Sequence, residues 1–370
     1  MKIRNNVKKI PPYVPGKPKE EIARKYGLKL NKIIKLASNE NPLGAPKKAV
    51  AQIVKFAPQV YAYPDAEASE LREELSRYIG IDKKCIIAGN GSDEILELAV
   101  KLFLNEGEEA IIPVPTFSLY QNLVKLYSGK PVLAPLDENF RFDCEEIVKK
   151  INKKTKLVFI CSPNNPTGSV ISEEDLRRIL RNDIILILDE AYVEFAGASH
   201  VKLVNEFENL IVLRTFSKAF GLAGARVGYG VADKKIIDYM LRIKLPFNVN
   251  ILSQKAAVGA LRDKKHLDRS IKTVREGREF LIKELSRIEG IVVYPSKANF
   301  LLINLRGTGK NARKVAEALY REGIITRECS SFKLNKYYLR VSIGTMAENR
   351  EFLRRFRRIV ERSGTSTTLR

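Results

Sequence analysis

Lys218 directly follows an apolar run, in TFSKAFGLAGARVGYG (215–230), where Phe216, Phe220, Leu222 and Ala223 hem it in. A lysine withdrawn from water has its pKa lowered and becomes a usable nucleophile. The plain alternative is a lysine that snorkels out of a strand–helix turn. Further along the same segment, Arg226 offers a rigid donor fork that suits a phosphate. Asp189 closes another apolar run, IILILDEAY (184–192). An acid there is costly to bury unless it meets a cationic partner. It could belong to a nucleotide-hydrolysing site, but that needs a P-loop. The only Gly-Lys pair near a glycine turn, GTGKN (307–311), lacks the spacing and the Ser/Thr after Lys.

Two loops complete the set. GNGSDE (89–94) is a glycine turn before a helical pattern, and the free amides of Ser92 and Asp93, at the positive end of the helix dipole, suit a phosphate. SPNNPTG (162–168) is a tight loop in which Asn165 can present an amide donor, or simply turn the chain. Each motif alone has a structural explanation. Together they meet the needs of pyridoxal phosphate: a lysine for its aldehyde, an anion beside its ring nitrogen, donors to its phenolic oxygen and a cationic cradle for its phosphate.

The elements that must position these residues read as follows. CIIAG (85–89), EAIIPV (109–114), KLVFIC (156–161), IILILD (184–189), NLIVLRTF (209–216) and RVGYGV (226–231) look like strands. SDEILELAVKLFL, FSLYQNLVKLY and SEEDLRRILR between them carry apolar residues at helical spacing. Strands apolar throughout, alternating with helices, predict an α/β fold with a mainly parallel sheet covered on both faces. The candidate residues then fall in loops after strands, where open α/β sheets bind ligands. The length of 370 residues predicts more than one core. We expect an N-terminal arm over 1–44, part of the small domain, a large domain over 45–250, and a small α+β domain over 251–370. The tail SGTSTTLR reads as disordered.

Composition narrows the classes. The net charge is +22, but Lys and Arg are interleaved with Glu along the chain, and no basic block alternates with stacking aromatics, so nucleic acid is not the expected partner. No apolar run reaches the roughly 20 residues of a membrane span, and no apolar segment precedes Pro11 as a secretory signal would require. The expected location is cytoplasmic. Four scattered cysteines and two histidines predict no metal site and no disulfide framework.

SPNNPTG, ILDEAY and TFSKAFGLAGARVGY, in this order, resemble the fold-type I aminotransferases. PPYVPGK, KLASNENPLGAP (35–46), YPDAEASELREEL (63–75) and YYLRVSIGT are similar, more narrowly, to the histidinol-phosphate aminotransferase family. The resemblance spans residues 11 to about 355. It implies a large domain with a mainly parallel seven-stranded sheet between helices, plus the smaller domain. It implies that Lys218 carries the cofactor as a Schiff base and then shuttles the substrate proton, and that Asp189 pairs with the ring nitrogen. Asn165 and Tyr192 would donate to the phenolic oxygen. Ser92, Asp93, Thr215, Ser217 and Arg226 would hold the phosphate, and Phe117, where this family often has Tyr, would stack on the ring.

Tyr63 corresponds to a tyrosine that reaches the cofactor phosphate of a second copy, which implies a homodimer; a core tyrosine before Pro64 is the alternative. Arg340 would grip the carboxylate or phosphate of the substrate, with Arg327 and Tyr13 as further phosphate contacts and Asn39 lining the entrance. An exposed arginine at a strand end is the alternative for Arg327. The implied reaction is ping-pong transfer of an amino group from histidinol phosphate to 2-oxoglutarate, giving glutamate. Rival readings are an aromatic or broad-specificity aminotransferase, a threonine-phosphate decarboxylase with the same cofactor residues, and a basic nucleic-acid binder in which Lys218 is incidental.

Overall fold

Strands apolar at every position need cover on both faces, and the structure, a computed structural model describing residues 2–8 and 10–361, provides it. The tail SGTSTTLR lies outside the described residues. Along the chain come β1 (Ile34–Lys35), β2 (Ile86–Gly89), β3 (Glu109–Val114), β4 (Lys130–Pro135), β5 (Thr155–Cys161), β6 (Ile185–Asp189), β7 (Leu210–Thr215) and β8 (Gly228–Ala232). Then follow β9 (Val292–Val293), β10 (Phe300–Asn304), β11 (Ile324–Ile325), β12 (Arg327–Glu328) and β13 (Tyr338–Ser342). Seven of these form one sheet in the order β2-β8-β7-β6-β5-β3-β4. It is parallel except for β8, which runs antiparallel to both β2 and β7.

Side chains alternate along each strand, so one strand feeds two cores. Leu186 and Leu188 of β6, with Val158, Ile160, Leu210 and Val212, join one face. Ile187, with Leu157, Phe159, Ile211 and Leu213, joins the other. The six anticipated strands all form, with ends shifted by a residue or two. The seventh, β4, was not anticipated. It lies at the sheet edge and contains Pro131 and Pro135, which a central strand would not tolerate.

A third core packs the helices Lys264–Leu285, Ala312–Arg321 and Met346–Glu361 on an antiparallel sheet of order β12-β13-β10-β9. Leu36 from the N-terminal arm joins this core, and β1 pairs with β11 beside it. The helix Ile251–Leu261, given to the small domain by a boundary at 250, packs instead against the helices Lys47–Phe56 and Ser69–Ile79. Its residues Ala256, Ala257, Val258, Ala260 and Leu261 belong to the large sheet's core. A helix apolar all round has no face to give to solvent, so we take the division to fall after Leu261.

Candidate active site

Parallel strands deliver their last residues to one edge of the sheet, and Asp189 and Thr215 end β6 and β7 there. Lys218 follows within the turn after β7, and its Nζ donates to the carbonyl of Ser38 at 3.2 Å. The amine stands 5.6 Å from the centre of the Tyr192 ring. Burial pushes its pKa down to about 8, with Arg340 and Arg226 acting in the same sense against Glu40 and Asp93. A neutral amine is thus within reach near neutral pH.

Asp189 is buried, and burial pushes its carboxyl up to about 6 against two donors. The Tyr120 hydroxyl donates to Oδ2 at 2.6 Å and the Ala191 amide to Oδ1 at 3.0 Å. Tyr120 stacks on Phe159 and meets Phe117 edge-on at 5.8 Å. Asp189, Tyr120 and Phe117 therefore form one packed group.

The helix Ser92–Phe103 begins after Gly91, whose φ is +81°. Its first-turn amides, including those of Ser92 and Asp93, have no acceptor within the helix. Gly228 of β8 keeps this end open, since a Cβ there would stand 2.5 Å from the Ser92 nitrogen. Arg226 holds a left-handed conformation at φ +50°. Its guanidinium donates to Ser217 Oγ at 3.3 Å and to Asp93 Oδ2 at 3.2 Å. Thr215 Oγ1 accepts from the Ser217 amide at 3.1 Å. Ser92, Asp93, Thr215, Ser217 and Arg226 are thus brought to one corner beside Lys218.

On the other side, Arg340 in β13 is buried, donating to Asn165 Oδ1 and, at 2.6 Å, to the Ala37 carbonyl. Its Nε has no partner. The rings of Phe300 and Phe332 flank the guanidinium at 5.2 and 5.7 Å. Burial lowers its pKa, and Arg327 adds to that. Because Asn165 accepts through Oδ1, its Nδ2 end remains as the donor. Arg327 pairs across from Arg340 in the β12–β13 ladder. It donates to the Val14 carbonyl at 2.7 Å and to Ser331 Oγ at 3.2 Å, which draws Tyr13 and the arm to this end. It is a part-buried anchor for the arm, not a free charge at a strand end.

One residue lies elsewhere than expected. Asn39 does not line an entrance: it is 1 % exposed, with φ +56°. Its Nδ2 donates to the Tyr192 hydroxyl at 3.1 Å, its amide donates to Ser342 Oγ at 2.9 Å, and its carbonyl accepts from Asn299 at 2.9 Å. The cause is its place in the segment that crosses from the small-domain core, at Leu36, to the large domain, at Ala49, where polar groups need partners. Tyr63 is 81 % exposed, which excludes a core role, and it stacks on Phe247 at 4.5 Å. Sequence reading missed Tyr120, the Ser38 carbonyl and Ser342. Only Tyr120 left a trace, its three-residue spacing from Phe117, and that spacing equally describes a core helix.

The residues fit pyridoxal phosphate on their own chemistry. A depressed lysine, a buried carboxylate with acceptor capacity left, open helix amides with an arginine, and an orphaned guanidinium nitrogen are brought close enough to act on one another. Among the described residues no cluster of His, Cys, Asp and Glu could hold a metal ion, and no helix is long and apolar enough to cross a membrane.

Comparison with known proteins agrees. The sequence profile described as aminotransferase class I and II matches residues 31–356. A histidinol-phosphate aminotransferase of Methanothermobacter thermautotrophicus is 42 % identical over 95 % of this chain and 96 % of its own. The crystal structure of the histidinol-phosphate aminotransferase from Clostridium acetobutylicum superposes with a TM-score of 0.83 at 31 % identity, over 89 % of this chain and 99 % of that one. The Sinorhizobium meliloti histidinol-phosphate aminotransferase, solved in complex with pyridoxal-5'-phosphate, gives 0.85 at 24 % identity over 97 % of each chain and shares the fold.

Proposed function

The chain belongs to the class I and II aminotransferases, an enzyme family dependent on pyridoxal phosphate, and from that premise we propose that it moves the amino group of histidinol phosphate to 2-oxoglutarate in histidine biosynthesis. The observation that carries this reading is a depressed, enclosed Lys218 within electrostatic reach of the uncompensated Arg340. The relatives named above act on histidinol phosphate by their names, and the presence of Arg327 and Tyr13 beside Arg340 supports a substrate with an anionic end.

The cofactor, when bound, supplies an electrophilic carbon and an electron sink. The chain supplies the rest. Lys218 Nζ would be the group that holds the cofactor by its aldehyde carbon, and its amine would be the base that takes the proton from the substrate Cα. Asp189 accepts from the ring nitrogen and keeps it protonated. Tyr192 and Asn165 Nδ2 donate to the phenolic oxygen. Asn39 Nδ2 already occupies a lone pair of the Tyr192 oxygen, so the phenol's own proton is free to point to the ligand. The Ser92 and Asp93 amides, Thr215, Ser217 and Arg226 take the phosphate, and Phe117 the ring face. Arg340 binds carboxylate and phosphate by the same fork, so one residue serves glutamate and histidinol phosphate in turn, with Arg327 and Tyr13 on the phosphate. We also propose a cytoplasmic homodimer in which Tyr63, exposed on this chain, reaches the phosphate site of a second copy.

The test offers histidinol phosphate, phenylalanine, tyrosine and threonine phosphate in turn, with 2-oxoglutarate as acceptor. Glutamate should form from the first. Carbon dioxide from threonine phosphate would move the chain to the decarboxylases, and equal rates with the aromatic amino acids would make it a broad-specificity enzyme. Lys218→Ala should remove activity; a variant that still turned over would remove that lysine from the reaction.

A further inference from the structure

Tyr120 lies on no loop and is buried, 1 % exposed, in the helix Leu119–Leu126 on the core face of the large sheet. A phenylalanine would fill the same space. The hydroxyl is what a core does not need, and it is 2.6 Å from Asp189 Oδ2. We propose that Tyr120 is a positioning residue for this enzyme, acting through Asp189 on the ring nitrogen of the cofactor. The proposal rests on the reading of Asp189 given above.

A buried carboxylate drifts toward its protonated form unless donors hold it. A protonated Asp189 would present a donor where the ring nitrogen needs an acceptor. Two donors hold it, one on each oxygen: the Tyr120 hydroxyl and the Ala191 amide. The amide belongs to Asp189's own chain turn and restrains one edge. Tyr120 comes from a separate element and fixes the rotation of the carboxylate plane. It is itself held by stacking on Phe159, with ring centres 5.3 Å apart and planes at 16°. Its perpendicular contact with Phe117, at 90°, links the carboxylate to the ring-stacking position. Beside it the Cys161 thiol donates to the Pro163 carbonyl at 3.4 Å, so its proton is committed elsewhere. One hydroxyl thus sets where the lone pairs of Asp189 point, without touching the ligand.

The test uses the full chain reconstituted with pyridoxal phosphate or with its 1-deaza analogue, which has carbon in place of the ring nitrogen. The wild type should bind pyridoxal phosphate more tightly than the analogue. Tyr120→Phe should weaken pyridoxal phosphate about tenfold, the loss of a hydrogen bond to a charged group. It should leave analogue affinity within about twofold, and add no loss in an Asp189→Asn background. An equal loss with both cofactors, or none with either, would make Tyr120 a packing residue and overturn the proposal. A wild type and an Asp189→Asn variant that bind the two cofactors alike would instead fail the reading of Asp189, and the proposal with it.

Discussion

Two buried arginines divide this molecule by their partners. Arg214, 4 % exposed, points from β7 into the core under the sheet and meets Glu190 at 2.8 Å. Tyr229 and Ser199 complete its shell. Burial alone would lower its pKa, but Tyr229, Glu190 and Glu194 hold it above the ordinary value. Arg340, 5 % exposed, has no carboxylate within ion-pair distance among the described residues, and its pKa is lowered. A buried charge whose counter-ion belongs to the protein is architecture; one left without it is a place for an anion from solution. Asp189 and Glu190 make the same contrast between adjacent residues. Strand alternation sends Glu190 down to Arg214 and leaves Asp189 at the site.

The largest expected effect breaks the closed pair. Arg214→Met strands Glu190 and should cost about 3–5 kcal/mol in denaturant unfolding, while replacing both partners with apolar residues should recover most of it. A harmless single substitution would erase the distinction. Arg340→Met should do the reverse. Folding stability should hold or rise by about 1 kcal/mol, and kcat/KM for histidinol phosphate should fall about 100-fold or more.

Asp189 sharpens the contrast through pH. Its folded pKa is pushed up to about 6 from an ordinary 3.8. Between those values the folded chain keeps a proton that the unfolded chain has lost, so cofactor-free stability falls as pH rises through that window. Cofactor-free Asp189→Asn should therefore be more stable than wild type at pH 7, by about 3 kcal/mol, and converge with it near pH 4. The same variant should bind pyridoxal phosphate more weakly. The smallest effect belongs to Arg327, part-buried and tied to the arm. Arg327→Ala should raise KM for histidinol phosphate about tenfold, with little change in unfolding and a smaller change in KM for glutamate. Equal changes for both substrates would remove its role toward the phosphate.

Legibility in the sequence followed the range of the forces involved. IILILD and KLVFIC announced buried strands because cover on two faces demands apolar residues at every position. KPVLAP did not, because an edge strand is exempt from that demand. Lys218, Asp189, Asn165 and Arg226 were readable because each stands next to a turn or strand end that limits its use. Tyr120 and Glu190 were not, since their partners lie 69 and 24 residues away in sequence. Asn39 was placed at an entrance by resemblance alone; its burial depends on Ser342 and Asn299, which the fold brings from the far end of the chain.

The sequence alone determined the alternating α/β pattern, the strand ends that carry the lysine and the carboxylate, and the glycines that leave backbone amides open. Those features depend on local geometry and on which residues tolerate burial. Only the tertiary structure decided which charges are neutralised and which wait for a ligand. Arg214 and Arg340 are the same residue type, each within an apolar strand. What separates them is whether another element brings a carboxylate to within hydrogen-bond distance, and chain folding alone settles that.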